Sequence, residues 1–307
     1  MIVRKIGGSL LESPKSIKLV ADFIASEASK GKPQVIVISA MKGQTNQLIQ
    51  LASEVSPSPS QRELDMLIST GERVSMSLLT MALIDLGIPA ISFTGSQAGV
   101  LTKGPHSDSS ISQIKPIRVE EEIAKDRVVV LAGFQGVDPD TKEITTLGRG
   151  GSDTTAIAMA AYFKAENCYI MKDVSGLYSA NPKLVATAQP ITQTSVPLLL
   201  EMCQAGAQVL HTKALQFLQS HFTPVTICTL GSGHPETQIL QETQAPQFCL
   251  SQAQNKTYLT TNCSQLSSHI ESIGWTKASD YQWQTAKILN PAQLTEVHDQ
   301  AMSLVMR

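Results

Sequence analysis

The strongest constraint on the fold is the regular alternation of short apolar, β-branched runs with longer amphipathic stretches. Several runs have the length and composition of buried strands, namely 35–38, 90–93, 128–131, 169–171 and 225–227. The stretches between them carry apolar residues at the three- and four-residue spacing typical of helices, at 17–29, 64–86, 153–164 and 198–218. This alternation predicts an α/β fold, a three-layer αβα sandwich in which a mostly parallel sheet has helices on both faces.

The composition changes after Leu230. The segment 231–255 is rich in Gly, Ser and Gln and is predicted to be a linker. Residues 1–230 before it are predicted to form one large domain. Residues 256–307 after it follow a strand, helix, hairpin, helix order, which predicts a small α+β domain of marginal stability on its own.

Charge and composition exclude several function classes. The 307 residues include 24 Lys and Arg against 26 Asp and Glu, so we expect no nucleic-acid partner and no anionic membrane surface. No apolar run approaches the roughly 20 residues that span a bilayer, and residues 1–6 are predicted to be a first strand rather than a signal peptide. Five widely spaced cysteines without a C-x-x-C pair predict free thiols and a cytoplasmic location.

A first glycine motif follows the first predicted strand, where Gly7 and Gly8 come between Lys5 and Ser9. Two adjacent glycines allow backbone amides to approach an anion such as a phosphate. The alternative is a tight strand-to-helix turn with an exposed lysine. Neither G-x-x-x-x-G-K-[ST] nor G-x-G-x-x-G occurs, which argues against Walker-type NTPases and dinucleotide-binding Rossmann enzymes.

A second glycine motif, at 147–155, precedes an alanine-rich helix predicted to begin near Thr155. Ser152 and Asp153 are predicted to cap that helix, and Arg149 offers a fork that matches a carboxylate or phosphate. The alternative is a capped loop with a solvated arginine. Further glycine-bearing turns follow predicted strands, at 39–46 and 173–178. Since ligands bind at the carboxyl ends of parallel strands, these loops are expected to face one crevice.

Taken together in their order and spacing, these motifs resemble those of the aspartate kinase family within the amino acid kinase superfamily. The resemblance covers residues 1–230 and lies in K-I-G-G-S, V-I-S-A-M with T-N, G-E-R, G-F-Q-G, T-T-L-G-R-G-G-S-D, D-V-S-G-L-Y and G-A-Q-V-L-H. It implies transfer of the γ-phosphoryl of Mg-ATP to the side-chain carboxylate of L-aspartate, giving 4-phospho-L-aspartate, the first step toward lysine, threonine and methionine. It further implies ATP and Mg²⁺ as cofactors, a cytoplasmic enzyme and a homodimer.

The resemblance also assigns roles on the acceptor side. Lys5 with the Gly7 and Gly8 amides would neutralise the phosphoryl oxygens, Asp153 would hold Lys5, and Arg149 would clamp a carboxylate of aspartate. The substrate-binding set implied is Ser39, Thr45, Glu72, Arg149, Gly150, Gly151 and Ser152. Glu72 would accept the ammonium group, although without the resemblance it is better explained as a solvated helix charge.

On the nucleotide side, the resemblance implies a set made of Lys5, Gly7, Gly8, Ser9, Lys172, Asp173, Tyr178, Asn181, Pro182, Lys183 and Gln208. Tyr178 has the alternative role of a core aromatic residue. The phosphates and water would hold Mg²⁺, so no protein metal motif is expected. Gln208 departs from the lysine that the family often has, so nucleotide binding is weakened or Lys213 or Lys183 supplies the charge.

The C-terminal region departs from the family more strongly, since typical aspartate kinases end in two tandem ACT domains. Residues 256–307 have room for a single ACT-like unit, whose last strand could only be 304–307. We therefore expect weak or absent inhibition by lysine or threonine, with pairing across a dimer and a ligand-free packing module as alternatives. Two other functions remain open: another acidic amino acid kinase, or a silent paralogue that binds without turnover.

Overall fold

The computed structural model describes residues 1–231, 236–243 and 245–306. In chain order its elements are β1 (Ile2–Ile6), a 3-10 helix (Gly8–Leu11), α1 (Pro14–Ala28), β2 (Gln34–Ile38), α2 (Gln44–Val55), α3 (Gln61–Ile68), α4 (Thr70–Asp85), β3 (Ala90–Phe93), β4 (Val100–Lys103), β5 (Ser110–Ile114), α5 (Ile117–Ile123), β6 (Val128–Ala132), β7 (Gln135–Val137), β8 (Ile144–Thr146), α6 (Gly151–Tyr162), β9 (Asn167–Met171), β10 (Leu177–Tyr178), β11 (Pro190–Ile191), β12 (Gln193–Ser195), α7 (Val196–Gln204), α8 (Thr212–Ser220), β13 (Val225–Cys228), β14 (Thr237–Leu240), β15 (Phe248–Ala253), β16 (Lys256–Thr261), α9 (Ser264–Ser272), β17 (Thr276–Ser279), β18 (Gln282–Thr285) and α10 (Pro291–Val305).

The main sheet has the strand order β12-β14-β13-β9-β1-β2-β6-β3. Its neighbouring strands run parallel except for β13 and β14. Successive strand residues point to opposite faces, so Val35 and Val37 enter one apolar core while Ile36 and Ile38 enter the other. Strands buried on both faces need an uninterrupted apolar run, which is what the sequence has at these positions.

Helices cover both faces of this sheet. Side chains of α5, α6, α7 and α8 fill the first core, and those of α1 and α4 fill the second. The predicted three-layer αβα sandwich with a mostly parallel sheet is therefore confirmed.

Two of the predicted helices are each divided in the structure. The stretch 64–86 is broken after Ile68, at Ser69, which separates α3 from α4. The stretch 198–218 is broken over 205–211, where Gly206 has a φ of +105° that a helix does not accommodate. The prediction of one continuous helix there was wrong because apolar spacing continues across the break.

The nearly continuous stretch Gln61–Asp85 is, by length and composition alone, apolar enough to cross a membrane. Half of its most apolar window is buried inside the protein, and Met76, Leu79 and Leu83 pack in the second core. We interpret it as a core helix, because a helix buried in the core of a globular protein can be equally long and equally apolar.

The five cysteines are free thiols, and four of them are buried. Burial raises the pKa of Cys228 and of Cys249 to about 12. These thiols are therefore protonated and unreactive near neutral pH.

The last described part of the chain forms a four-stranded antiparallel sheet in the order β15-β16-β18-β17, covered by α9 and α10. We call residues 248–305 the small unit. The predicted linker 231–255 needs correction, because β14 within it joins the main sheet and β15 begins the small unit. In β14 the exposed Gln238 lies between the buried Thr237 and Ile239, so a glutamine-rich composition conceals an alternating strand pattern. The strand predicted at 304–307 was also wrong within the described residues, because α10 continues to Val305.

Candidate active site

Two cavities lie at the carboxyl ends of the central parallel strands. The first, of about 600 Å³, lies beyond β2, and we call it the β2 cavity; its lining includes Ser39, Thr45, Glu72 and 148–153. The second, of about 730 Å³, lies beyond β9, and we call it the β9 cavity; its lining includes 172–178, 180–185, 206–209 and 249–252. Carboxyl ends of parallel strands are where ligands of α/β proteins bind.

A buried carboxylate of the β2 cavity joins one lysine from the lining of each cavity. Asp153 Oδ1 lies 2.8 Å from Lys5 Nζ, and Asp153 Oδ2 lies 3.4 Å from Lys172 Nζ. Burial alone would raise the pKa of Asp153, but the two ammonium groups outweigh it and hold that pKa below its usual range. Burial lowers the pKa of Lys172, which also donates a hydrogen bond to the Val209 carbonyl. Two cations with one counter-charge leave net positive potential, which suits a phosphoryl group.

Glu72 is the buried acid of the β2 cavity. It is only 3% exposed, and its Oε1 accepts a hydrogen bond from the Ala40 amide at 3.1 Å. A Cβ on Gly71 would lie 2.9 Å from the Ala40 Cβ, so glycine there allows α4 to approach the end of β2. Burial raises the pKa of Glu72 to about 7. The alternative of a solvated helix charge is excluded by this burial.

The loop 147–151 connects β8 to α6. Helix α6 begins at Gly151, four residues earlier than predicted, with Gly150 as its N-cap. Ser152 and Asp153 therefore lie in the first turn and make no capping hydrogen bond, which corrects the predicted cap. Gly150 has a φ of +76°, and a Cβ there would lie 2.2 Å from the His211 Cβ. The glycine is thus required by backbone conformation and by packing inside the protein, as well as by any ligand.

Arg149 sits in this loop with an exposed side chain that lines the β2 cavity. The other members of the predicted substrate set line the same cavity, namely Ser39, Thr45, Glu72, Gly150, Gly151 and Ser152. The structure thus brings together all seven residues that the sequence assigned to substrate binding.

The two glycines after β1 differ in whether their backbone amides are already hydrogen-bonded. The Gly7 amide donates to the Met171 carbonyl at 2.9 Å, so it is not available to a phosphate, contrary to the predicted role. The amide of Gly8 has no such partner among the described residues. A Cβ on Gly8 would lie 2.6 Å from the Ala40 carbonyl oxygen, so only glycine permits this approach between the ends of β1 and β2.

The predicted nucleotide set separates into two groups. Residues lining the β9 cavity are Lys172, Asp173, Tyr178, Asn181, Pro182, Lys183 and Gln208, whereas Lys5, Gly8 and Ser9 line the β2 cavity. Gly7 lines neither cavity. Tyr178 is half-buried with its hydroxyl 3.1 Å from Ser175 Oγ, so it is not a core aromatic residue.

Other lysines lie close enough to Gln208 to supply the positive charge that a glutamine lacks. Lys183 and Lys172 line the β9 cavity together with Gln208. Lys213 is not part of that lining, because its ammonium group pairs with Asp108 and donates to the Leu147 carbonyl. Of the two lysines considered from sequence, Lys183 is therefore the one placed to compensate, and Lys172 is a second.

Asp65 was missed by the sequence analysis. It is fully buried in α3 and accepts hydrogen bonds from the backbone amides and hydroxyls of Ser107 and Thr146, with His106 Nδ1 at 2.9 Å. Ser107 and Thr146 both line the β2 cavity, so Asp65 fixes one of its walls. The only signal in the sequence is a charged residue between two apolar ones in a predicted helix.

The described acidic side chains of the two cavities do not form a cluster. Among the residues that the structure describes, no group of three or more His, Cys, Asp or Glu side chains is placed to hold a metal ion. The exposed carboxylate of Asp173 lines the β9 cavity.

Comparisons with known proteins agree with this geometry. The chain is 44% identical over 240 residues to an aspartokinase of Mycobacterium tuberculosis, which covers 78% of this chain and 57% of the relative. The chain thus spans a little over half the length of that curated relative. A crystal structure of aspartate kinase from Synechocystis superposes with a TM-score of 0.70 at 31% identity, covering 99% of this chain and 55% of that one.

Escherichia coli aspartokinase III, in complex with aspartate and ADP, superposes with a TM-score of 0.72 at 21% identity, covering 95% of this chain and 80% of that one. At that identity the likeness shows the fold. The model of the amino acid kinase family matches residues 1–229, which include every residue of both cavities except 249–252 and Leu294. The chain therefore belongs to the amino acid kinase family.

Proposed function

We propose that this chain carries the activity of an aspartate kinase, transferring the γ-phosphoryl of ATP to the side-chain carboxylate of L-aspartate. The observation that carries the proposal is the Lys5–Asp153–Lys172 bridge, which connects the lining of the β2 cavity to that of the β9 cavity. Support comes from the 44% identity to an aspartokinase and from the fold shared with an aspartokinase that holds aspartate and ADP. The β9 cavity would take the nucleotide and the β2 cavity the amino acid.

The reaction needs positioning and charge neutralisation rather than a base. A carboxylate oxygen of aspartate attacks the γ-phosphorus, the bond from that phosphorus to the β,γ-bridging oxygen breaks, and ADP leaves with the electron pair. The product is an acyl phosphate, and no proton is transferred. The absence of a paired nucleophile and base among the described cavity residues is therefore consistent with the chemistry.

Each charged side chain has a task in this step. Lys5 and Lys172 approach the transferred phosphoryl from the two cavities and offset the charge that spreads over its oxygens. Asp153 keeps both ammonium groups in place and prevents their mutual repulsion from separating them. Mg²⁺ bound to the phosphates would neutralise further charge. Asp173, which lines the β9 cavity, is the carboxylate that would contact it.

The choice of acceptor rests on Glu72 and Arg149. Arg149 can hold a carboxylate through two parallel hydrogen bonds. Glu72, ionised, would accept the α-ammonium group of aspartate in a buried position. An N-acetylated amino acid has no ammonium group, so binding it would leave the Glu72 carboxylate buried and unpaired. This argues against N-acetylglutamate as the acceptor.

The test is turnover of Mg-ATP with L-aspartate, trapping the acyl phosphate as a hydroxamate, beside L-glutamate and N-acetyl-L-glutamate. We expect product with aspartate, and a loss of at least about 100-fold in kcat/KM for Arg149→Ala. Arg118→Ala, on α5 outside both cavities, is the matched control and should leave turnover unchanged. Binding of ATP or aspartate without turnover on any acceptor would instead identify a silent paralogue.

Several finer features belong to the same proposal. We propose that the small unit is an ACT-like domain, that the active form is a homodimer and that the enzyme is cytoplasmic. Analytical ultracentrifugation of the whole chain tests the dimer, and a single species at the mass of one chain at assay concentration would contradict it.

A further inference from the structure

The β9 cavity is not built by the amino acid kinase domain alone. The segment that includes the predicted Asn181-Pro182-Lys183 turn is a hairpin, formed by β10 and β11 with the connecting residues 179–189. The two strands contribute only two residues each, and a hairpin of this size is not stable by itself. Its position must therefore be fixed by what packs against it.

The small unit supplies much of that packing. Ala180 and Val185 of the hairpin belong to the apolar core of the small unit, together with Phe248, Leu250 and Leu294. The Leu250 amide also donates a hydrogen bond to the Ser179 carbonyl at 2.8 Å. The hairpin thus presents its turn to the cavity while its interior side is part of the small unit.

A fully buried histidine of α10 makes the polar part of this contact. His298 is 0% exposed, and its Nε2 lies 2.8 Å from Ser179 Oγ. On the other side of the ring, Nδ1 lies 3.1 Å from Asp299 Oδ1 and 3.2 Å from Thr187 Oγ1. Ser179 is the first residue of the hairpin connection and Thr187 lies two residues before its end, so one ring contacts both sides of it.

The hydrogen-bond network assigns the proton of this ring. Ser179 Oγ already accepts from the Gln189 amide at 2.8 Å, so its own hydrogen is free to be donated to His298 Nε2. Thr187 donates to Asp299 Oδ1, and the proton on His298 Nδ1 is donated to the same carboxylate. A ring with its proton on Nδ1 donates to Asp299 and accepts from Ser179, so both nitrogens of this fully buried side chain are satisfied.

We propose that His298 is a positioning residue for the nucleotide site, acting from the small unit through Ser179 on the turn that lines the β9 cavity. The inference rests on the proposed function only in that the ligand of this cavity is ATP. It predicts that loss of the Nε2 contact weakens nucleotide binding while aspartate binding, which uses the β2 cavity, is unaffected. A histidine that only stabilised the small unit would not separate the two substrates in this way.

Two conservative replacements distinguish the nitrogens. His298→Gln places an amide oxygen near the former Nε2 and can still accept from Ser179. His298→Asn is too short to reach Ser179 but can still donate to Asp299. We expect His298→Asn to raise the KM for ATP about tenfold, the effect of one lost buried hydrogen bond, and His298→Gln to stay within about threefold of the wild type. Ser179→Ala also removes the acceptor of the Gln189 amide, so its KM for ATP should rise at least as much. The double variant His298→Asn/Ser179→Ala should be no worse than Ser179→Ala alone.

The control for a loosened small unit is Ile270→Ala, which opens the same apolar core from α9. The full-length variants are compared by thermal unfolding, by KM for ATP and for aspartate, and by calorimetric titration with the Mg²⁺ complex of a non-hydrolysable ATP analogue. Because the titration needs no turnover, it tests His298 even if aspartate is not the acceptor. Nucleotide binding by His298→Asn equal to that of the wild type would overturn the proposal. So would an equal rise in KM for ATP in Ile270→Ala at a matched loss of Tm.

Discussion

Glu72 Oε1 accepts a hydrogen bond from the Ala40 amide at 3.1 Å and so joins α4 to the carboxyl end of β2. This bond lowers the pKa of Glu72 less than burial raises it, and the net value is about 7. The carboxylate proposed to bind the ammonium group of aspartate therefore changes its charge in the physiological range.

This predicts a pH-dependent affinity for aspartate. Only ionised Glu72 attracts an ammonium group, so the KM for aspartate should rise as pH falls through 7 and be about tenfold higher at pH 6 than at pH 8. Steady-state kinetics from pH 6 to pH 8.5 measures this, with the KM for ATP as an internal reference. Glu72→Gln should have a high KM for aspartate that does not vary with pH, and a wild-type slope retained in that variant would assign the titration to another group.

The burial of Glu72 also predicts that the folded protein loses stability when this carboxyl group ionises. The pKa of Glu72 is raised from 4.5 in the unfolded chain to about 7 in the folded one, so the folded state binds this proton more tightly. Its favourable contribution is complete below pH 4.5 and is lost as pH rises through 7. Glu72→Gln should therefore be more stable than the wild type at pH 8, by up to about 3 kcal/mol, and nearly equal at pH 4.5. Urea unfolding at the two pH values measures the difference, and equal stabilities at pH 8 would contradict it.

Asp153 is expected to be indispensable because it is the counter-charge of both the buried Lys5 and the half-buried Lys172. Asp153→Asn leaves Lys5 and Lys172 without a counter-charge, which should lower kcat by at least about 100-fold and the free energy of unfolding by about 3–5 kcal/mol. Turnover and chemical unfolding measure the two effects. Asp22→Asn, exposed on α1, removes the same charge without either consequence. Near-normal kcat in Asp153→Asn would remove the bridge from the proposed mechanism.

The central strands could be predicted from sequence because burial on both faces leaves a continuous β-branched run, and 90–93 was placed without error. The seven acceptor-side residues came from the resemblance to the aspartate kinase family, and they line one cavity because loops after parallel strands converge on one edge. What sequence could not give depends on contacts between distant segments. The hydrogen bond from Gly7 to Met171 removed one amide from the predicted site, and at Gly206, where the predicted helix is broken, a Cβ would lie 2.8 Å from the Gln252 carbonyl oxygen of the small unit.

Replacing Asp65, which has no part in the proposed reaction, is expected to lower the stability of the fold strongly. Asp65→Ala leaves the amides and hydroxyls of Ser107 and Thr146 without their buried acceptor, so we expect a loss of about 3–5 kcal/mol in the free energy of unfolding. Ser107→Ala removes only one hydroxyl donor and should cost about 1 kcal/mol. Urea unfolding compares the two variants. Similar small losses in both would mean that the wall of the β2 cavity does not depend on this carboxylate.

Gly150 and Gly31 offer a matched pair for separating backbone strain from packing in the glycine loop. Both have a φ of +76°, so alanine at either position should cost about 1–2 kcal/mol from conformation alone. At Gly31 a Cβ meets nothing within 4 Å, whereas at Gly150 it would lie 2.2 Å from the His211 Cβ. Gly150→Ala must therefore also displace His211 or the loop that carries Arg149, and we expect a further loss of stability together with a loss of at least about tenfold in kcat/KM for aspartate. Gly31→Ala should be slightly destabilised and fully active. Equal stabilities and activities in the two variants would show that the loop absorbs the added methyl group without moving the arginine.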